Sequence, residues 1–141
     1  MIITRRARQE EFAKIVAFYR DNDYRATINS ADIFVVAENE GALYGMARIC
    51  EEQGILVLRG MRVCEGVRRQ GIGTNLLETV GALIGKRECF CIPHRYLGPF
   101  YVHIGFVKIE EKETPLFLRE RAAKYRNAYG LEVILMRRPA Q

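Results

Sequence analysis

The chain has 141 residues, of which 49% are hydrophobic and 28% are charged, and its formal net charge is +5. This length and apolar content suffice for one hydrophobic core but not comfortably for two, so we expect a single domain over residues 1–141. No apolar run approaches the ~20 residues of a membrane-spanning helix, and the N-terminal segment MIITRRARQEEF lacks the apolar stretch of a signal peptide. We therefore expect a cytoplasmic protein with no membrane partner.

The basic residues are scattered along the sequence and form no block interleaved with aromatic residues. This distribution does not favour nucleic acid as a partner, whereas a small polyanionic ligand suits the positive charge equally well. We expect the four cysteines to be reduced core residues. Cys89, Cys91, His94 and His103 are residue types that bind metals, but we interpret the two cysteines as facing opposite sides of a strand and expect no metal site.

In the N-terminal half, the apolar spacing predicts a strand at 2–5 and a helix at 9–20. Residues 21–32 are polar and irregular. Three strands are then predicted at 33–38, 43–52 and 55–63, with hairpin turns marked by Gly41 and Gly54.

The segment VRRQGIGTNLLETV, residues 67–80, places Gly71 and Gly73 between the third of these strands and an amphipathic helix. Free backbone amides and a partial positive charge make such a helix start suited to phosphate. The segment is not a P-loop, because Thr74 and Asn75 stand where Lys and Ser or Thr are required, and Leu76 breaks the dinucleotide fingerprint. A tight turn before a helix would use the same glycines.

In the C-terminal half, the helix after the glycines is followed by a strand at 89–92 and a short helix that begins near Pro99. Tyr101 would lie in the first turn of that short helix. A strand at 106–110 precedes a helix at 115–129, which starts at Thr114 and Pro115, and a final strand at 131–138 pairs back with the strand near Phe106.

Three pieces of this sequence together resemble the GNAT N-acetyltransferase family: Met61 and Val63 on the strand before the loop, RRQGIG at 68–73, and FYxxxGF at 100–106. The resemblance implies an α/β fold with α+β layering, in which helices flank a mixed, mostly antiparallel sheet of about seven strands. The helix at 115–129 would be an addition between the last two strands. The implied reaction is direct transfer of an acetyl group from acetyl-coenzyme A to a primary amine.

The resemblance also implies roles for individual residues. The backbone of Met61 and Val63 would pair with the pantetheine arm, and an amide there could stabilise an oxyanion. Tyr101 would protonate the departing thiolate, unless it only packs by its ring with the hydroxyl in solvent. The pyrophosphate would lie on the loop and helix start formed by Arg68, Arg69, Gln70, Gly71, Ile72, Gly73 and Thr74.

The general base is not evident, because the strand at 55–63 contains no carboxylate and only Glu38, Glu51, Glu52 and His94 remain as candidates. A weak base suits an α-amine, whose pKa is about 7.7–8.0, better than a lysine amine, whose pKa is about 10.4. Alternation along the strand predicts that Arg59 shares the face of Met61 and Val63, with Arg62 on the opposite face.

An arginine at this cleft (Arg48, Arg59 or Arg62) could bind an acceptor carboxylate, and Arg59 is the candidate substrate-binding residue, although exposed strand arginines are usually solvated. This favours a small-molecule acceptor such as an amino acid or another acidic amine over polyamines.

Other functions remain open at this point: a protein N-terminal or lysine acetyltransferase, or a non-catalytic sensor that binds acyl-coenzyme A. The helix at 115–129 could line the acceptor cleft, pack a bare face of the sheet, or form a homodimer contact.

Overall fold

The computed structural model describes residues 1–68 and 70–141, and seven strands lie within them. The strands are β1 (Ile3–Arg6), β2 (Ile33–Asn39), β3 (Ala42–Glu52), β4 (Ile55–Val63), β5 (Cys89–Cys91), β6 (Val107–Lys108) and β7 (Met136–Arg138). They form one sheet in the order β1-β2-β3-β4-β5-β7-β6. The α-helices are α1 (Phe12–Asp21), α2 (Ile72–Ile84), α3 (Gly98–Val102) and α4 (Leu116–Tyr129). Short 3₁₀ turns precede α1, α3 and α4, and another follows β4.

All neighbouring strands pair antiparallel except β4 and β5, which run parallel. Their pairing covers three residue pairs, from Leu56↔Cys89 to Leu58↔Cys91. The predicted fold class, a mostly antiparallel sheet of seven strands with flanking helices, is confirmed.

Helices cover both faces of the sheet because the strand residues alternate between two apolar layers. On one face, Val35 and Ala37 of β2 pack in the same cluster as the apolar side of α2 and Tyr101 of α3. On the other face, Phe34 and Val36 pack with α1.

The insertion α4 packs on this second face. Its Leu118 and Ala122 are fully buried in one cluster with Val57 of β4 and Phe90 of β5. The apolar side of α4 therefore packs on a face of the sheet, which is one of the roles predicted for this helix.

Strand β4 changes the phase of its alternation at Gly60, which has φ = +63°. Met46 pairs with Arg62, and Arg48 pairs with Arg59. Two residues of β4, Gly60 and Met61, therefore lie opposite the single residue Ala47 of β3, and this arrangement is a β-bulge. As a result Met61 and Val63 contact the α2 side of the sheet, whereas Arg62 lies over Tyr24 on the opposite side. The prediction that Arg59 shares the face of Met61 and Val63 is wrong, because it assumed an unbroken strand.

Three other local predictions are corrected. The strands predicted at 106–110 and 131–138 are shorter, although an isolated bridge joins His94 to Val133 before β7 begins. Thr114 does not cap α4, since its hydroxyl donates to the Glu110 carbonyl at 2.9 Å. Cys89 and Cys91 share one face, because residues two apart on a strand point the same way.

None of the helices within the described residues combines the length and apolarity needed to span a membrane.

The link between β1 and α1 contains a buried carboxylate that makes stability depend on pH. Arg5 donates to both carboxylate oxygens of Glu11 at 2.8 Å, and the Arg8 amide donates to one of them at 2.8 Å. Mainly through the Arg5 hydrogen bonds, the pKa of Glu11 falls from 4.5 to about 2. A lowered pKa means that this pair stabilises the fold fully above pH ~4.5 and loses that contribution as the pH falls toward 2.

We expect Glu11→Gln to reduce the free energy of unfolding at pH 7, where the wild-type carboxylate is ionised. The gap to the wild type should narrow progressively between pH 4.5 and pH 2. Urea unfolding of both proteins across this range measures the gap, and a gap that stays constant would contradict the assigned role of the ion pair.

Candidate active site

The edge of β4 that faces β5 is free beyond Leu58, because the parallel pairing stops there. The carbonyl oxygens of Met61 and Val63 accept hydrogen bonds from arginine side chains instead: Arg62 Nη1 at 3.0 Å and Arg68 Nε at 3.1 Å. Where β4 and β5 separate, this edge of β4 therefore has no strand partner in the described part of the chain, and its two carbonyls are held by side chains alone. An extended chain with amide groups could pair there as a strand would.

The N-terminus of α2 lies at the end of this edge. Gly71 occupies the N-cap position with φ = +78°, a conformation that residues with a Cβ atom rarely adopt. The helical ladder begins with the Asn75 amide donating to Gly71 O at 3.0 Å, which leaves the amides of Ile72, Gly73 and Thr74 outside it. No side chain among the described residues caps this end.

The two sequence motifs meet in space. A Cβ atom added to Gly73 would lie 3.4 Å from the ring of Phe100, so the glycine motif packs closely against the start of α3. At Gly71, in contrast, an added Cβ atom would meet no described atom within 4 Å, so glycine is needed there for its positive φ and not for space.

The predicted cofactor residues occupy this region. Met61 and Val63 are half-buried on the free edge, Ile72 is buried, Gly73 is half-buried, and Arg68, Gln70, Gly71 and Thr74 are exposed. Arg69 lies outside the described residues.

Tyr101 of α3 is buried at 6% exposure, with the rings of Phe100 and Phe106 edge-on to its own at centroid distances of 5.1 and 6.1 Å. Burial raises the pKa of Tyr101 above its usual value of 10, against a smaller lowering by the charge of Arg62. Its hydroxyl therefore stays protonated at neutral pH.

The candidate general bases are dispersed. Glu38 lies 3.6 Å from Arg5 and accepts a hydrogen bond from the Gly41 amide. Glu51 is exposed, and the His94 ring stacks on Tyr96. Glu52 is the last residue of β3, opposite Ile55 at the hairpin, and it is paired with two arginines.

Of the three arginines considered from sequence, Arg48 is buried and internal. It donates to the hydroxyl of Tyr24 at 3.0 Å, to Thr27 O at 2.9 Å and to Asp32 at 3.1 Å. These bonds anchor the irregular 22–32 segment to the sheet, so Arg48 is a structural residue.

Arg59 is committed to another partner. It donates to Glu52 Oε1 at 3.0 Å, and Nη2 of Arg121 on α4 lies 2.7 Å from Oε2 of the same carboxylate, although those two atoms are not aligned for a hydrogen bond. Tyr125 of α4 lies beside the Arg59 guanidinium. Arg59, which the sequence suggested as the residue that binds an acceptor carboxylate, is therefore already paired with Glu52.

Sequence reasoning missed Tyr24. Its ring is seated over Gly60, where an added Cβ would lie 2.8 Å from the Tyr19 hydroxyl and 3.2 Å from Tyr24 Cζ. The available signal was that Tyr24 is the single aromatic residue of the polar segment 21–32.

Within residues 1–68 and 70–141, no three His, Cys, Asp or Glu side chains lie close enough together to hold a metal ion.

A family model described as an acetyltransferase (GNAT) domain matches residues 3–115. The chain belongs to the GNAT family. The matched domain is, by its description, an acetyltransferase domain. The resemblance read from the glycine and FYxxxGF motifs is confirmed.

Solved GNAT structures share the fold. N-acetylglutamate synthase from Neisseria gonorrhoeae has a TM-score of 0.71 at 20% identity, over 100% of this chain and 35% of that one. An acyl-CoA N-acyltransferase from Pseudomonas aeruginosa has a TM-score of 0.69 at 14% identity, over 98% of this chain and 99% of that one. The ribosomal-protein-S18-alanine N-acetyltransferase from Escherichia coli has a TM-score of 0.69 at 13% identity, over 100% of this chain and 95% of that one.

This GNAT chain thus spans 35% of the length of the synthase and nearly the whole length of the other two proteins. No curated protein sequence matches it.

Proposed function

We propose that the protein acetylates the primary amine of a small molecule, with the donor held along the free edge of β4 and on the N-terminus of α2. The observation that carries this proposal is that the start of α2 meets both β4 and α3: a Cβ atom added to Gly73 would lie 4.0 Å from Val63 and 3.4 Å from Phe100. Tyr101, the neighbour of Phe100, belongs to the cluster against which Met61 and Val63 pack. Solved neighbours complexed with coenzyme A include the N-acetylglutamate synthase from Neisseria gonorrhoeae and Rv2747 from Mycobacterium tuberculosis.

The residues present suit a coenzyme A ligand. Helix amides and the arginines before them attract phosphate, and the left-handed Gly71 opens the backbone to it. Arg68, Arg69, Gln70, Gly71, Ile72, Gly73 and Thr74 would hold the pyrophosphate, and the edge at Met61 and Val63 would pair with the pantetheine amides. When bound, acetyl-coenzyme A supplies the thioester.

Tyr101 is the candidate general acid. Burial raises its pKa, so the hydroxyl is protonated at neutral pH, although burial also makes it a weaker acid. Its proposed role is to hydrogen-bond to the sulfur and to pass its proton to the thiolate as the thioester C–S bond breaks. Glu52, the one candidate base on β3 that pairs with arginines near β4, is neutralised by Arg59 and Arg121 and is therefore a weak base. An amine that is partly neutral at pH 7, such as an α-amine, depends less on a general base of the protein for its deprotonation.

A small acceptor is favoured over a protein by the contacts that cover one face of β4. Tyr24 covers Gly60 on the face that carries α1 and α4, and on the same face Arg121 of α4 is linked through Glu52 to Arg59. These contacts narrow the approach to the strand from that face.

The test is to incubate the protein with acetyl-coenzyme A and separate pools of amino acids, polyamines, aminoglycosides and short peptides. Release of free thiol is followed against an amine-free control. We expect release with a small-molecule pool. Release with peptides alone would indicate a protein acetyltransferase, and no release by protein that binds coenzyme A would indicate a sensor.

A further inference from the structure

On the face of the sheet that carries α1 and α4, the ring of Tyr24 lies against the guanidinium groups of two arginines. The guanidinium carbons of Arg48 and Arg62 lie 5.4 and 5.1 Å from the centre of the Tyr24 ring. Arg48 also fixes the Tyr24 hydroxyl by a 3.0 Å hydrogen bond. The ring thus forms a rigid support for Arg62, since a positive charge is attracted to an aromatic face.

The guanidinium of Arg62 lies at the free edge of β4. Its Nη1 donates to the carbonyl of Met61 at 3.0 Å, the same edge proposed for the donor. Its charge also influences the pKa of Tyr101, which places it within electrostatic range of the proposed acid.

The charges around Tyr24 do not balance. Asp32 pairs with Arg48, and Glu52 is shared by Arg59 and Arg121. In the described part of the chain, no carboxylate lies within 4.0 Å of Arg62. The buried Nη2 of Arg48 also has no hydrogen-bond partner there. The cluster therefore has more positive charges and donors than its own acids satisfy.

We propose that Arg62 binds a carboxylate of the acceptor amine, with Tyr24 as the residue that positions its guanidinium. This inference rests on the proposed function and gives its acceptor class: a small amine that carries a carboxylate. A planar guanidinium can form two parallel hydrogen bonds to a carboxylate, which orients the amine as well as holding it. Arg62 takes the role that the sequence had suggested for Arg59.

Binding can be tested without turnover. The protein saturated with coenzyme A is titrated calorimetrically with N-acetyl derivatives of the common amino acids, each as the free acid and as the α-carboxamide. We expect at least one free acid to bind roughly 10-fold or more tightly than its amide, the size of one charge-assisted hydrogen bond.

Arg62→Gln should reduce this preference to within about twofold, while Arg62→Lys, which keeps the charge but not the planar fork, should retain part of it. The matched control is Arg6→Gln, which removes one exposed positive charge on β1 and should leave the preference intact. Coenzyme A affinity, measured in the same instrument, should be similar in all variants.

Equal binding of acids and amides, failure of every free acid to bind, or a preference that survives Arg62→Gln would each overturn the inference. Amine-dependent thiol release by the wild type is measured separately. If acids bind through Arg62 but no amine is acetylated, the proposed function fails and the carboxylate site stands. If amines are acetylated without such binding, the reverse holds.

Discussion

Tyr101→Phe is expected to lower kcat by about 10²- to 10⁴-fold, the usual contribution of a positioned proton donor. The substitution removes one oxygen and keeps the ring that packs between Phe100 and Phe106. Coenzyme A affinity and the unfolding midpoint should therefore change little. The measurements are steady-state kinetics with the acceptor found in the pools, and calorimetric binding of coenzyme A.

The matched control is Tyr129→Phe, which removes a hydroxyl from an exposed tyrosine at the end of α4 and should leave kcat unchanged. Because burial raises the pKa of Tyr101, its ionisation should cause no loss of kcat between pH 7 and pH 10 in the wild type. A Tyr101→Phe enzyme with wild-type kcat would show that the hydroxyl donates no proton in the rate-limiting step.

Arg48→Met should destabilise the fold by about 3–5 kcal/mol, the typical cost of removing one partner from a buried ion pair. The substitution leaves Asp32 without its partner and also deprives Tyr24 and the Thr27 carbonyl of a donor. Chemical unfolding at pH 7 measures this loss. Hydrogen exchange should rise most in residues 22–32, since Arg48 anchors that segment.

The comparison variant is Arg48→Met/Asp32→Leu, in which neither charge remains. It should recover part of the lost stability, because the unpaired buried carboxylate is gone. If the double variant is as unstable as the single one, the cost lies in the lost bonds to Tyr24 and Thr27 and not in the charge of Asp32.

The sequence predicted most of the architecture, because its signals were local. Alternation and glycine turns indicated the hairpins of β2, β3 and β4, and the helical spacing of Leu76, Leu77 and Val80 indicated α2. The glycine motif was interpreted as a helix start, and Gly71 is the N-cap of α2.

The acceptor side was predicted less well, because it depends on one residue in β4. Gly60 shifts the alternation, so a count along the strand assigns Arg59 and Met61 to one face when they lie on two. The partners of the arginines come from distant segments: Asp32 from an irregular stretch and Arg121 from an inserted helix. Pairings of this kind carry no periodic signal in a single sequence.

The three-pair contact between β4 and β5 has a mechanical consequence for the whole molecule. The contact is short: β4 pairs with β3 along most of its length, but it pairs with β5 over only three residues. A ligand that hydrogen-bonds to β4 beyond Leu58 adds backbone hydrogen bonds next to the shortest contact between the two halves of the sheet. Donor binding should therefore couple the four N-terminal strands to the three C-terminal ones and slow amide exchange in both blocks together.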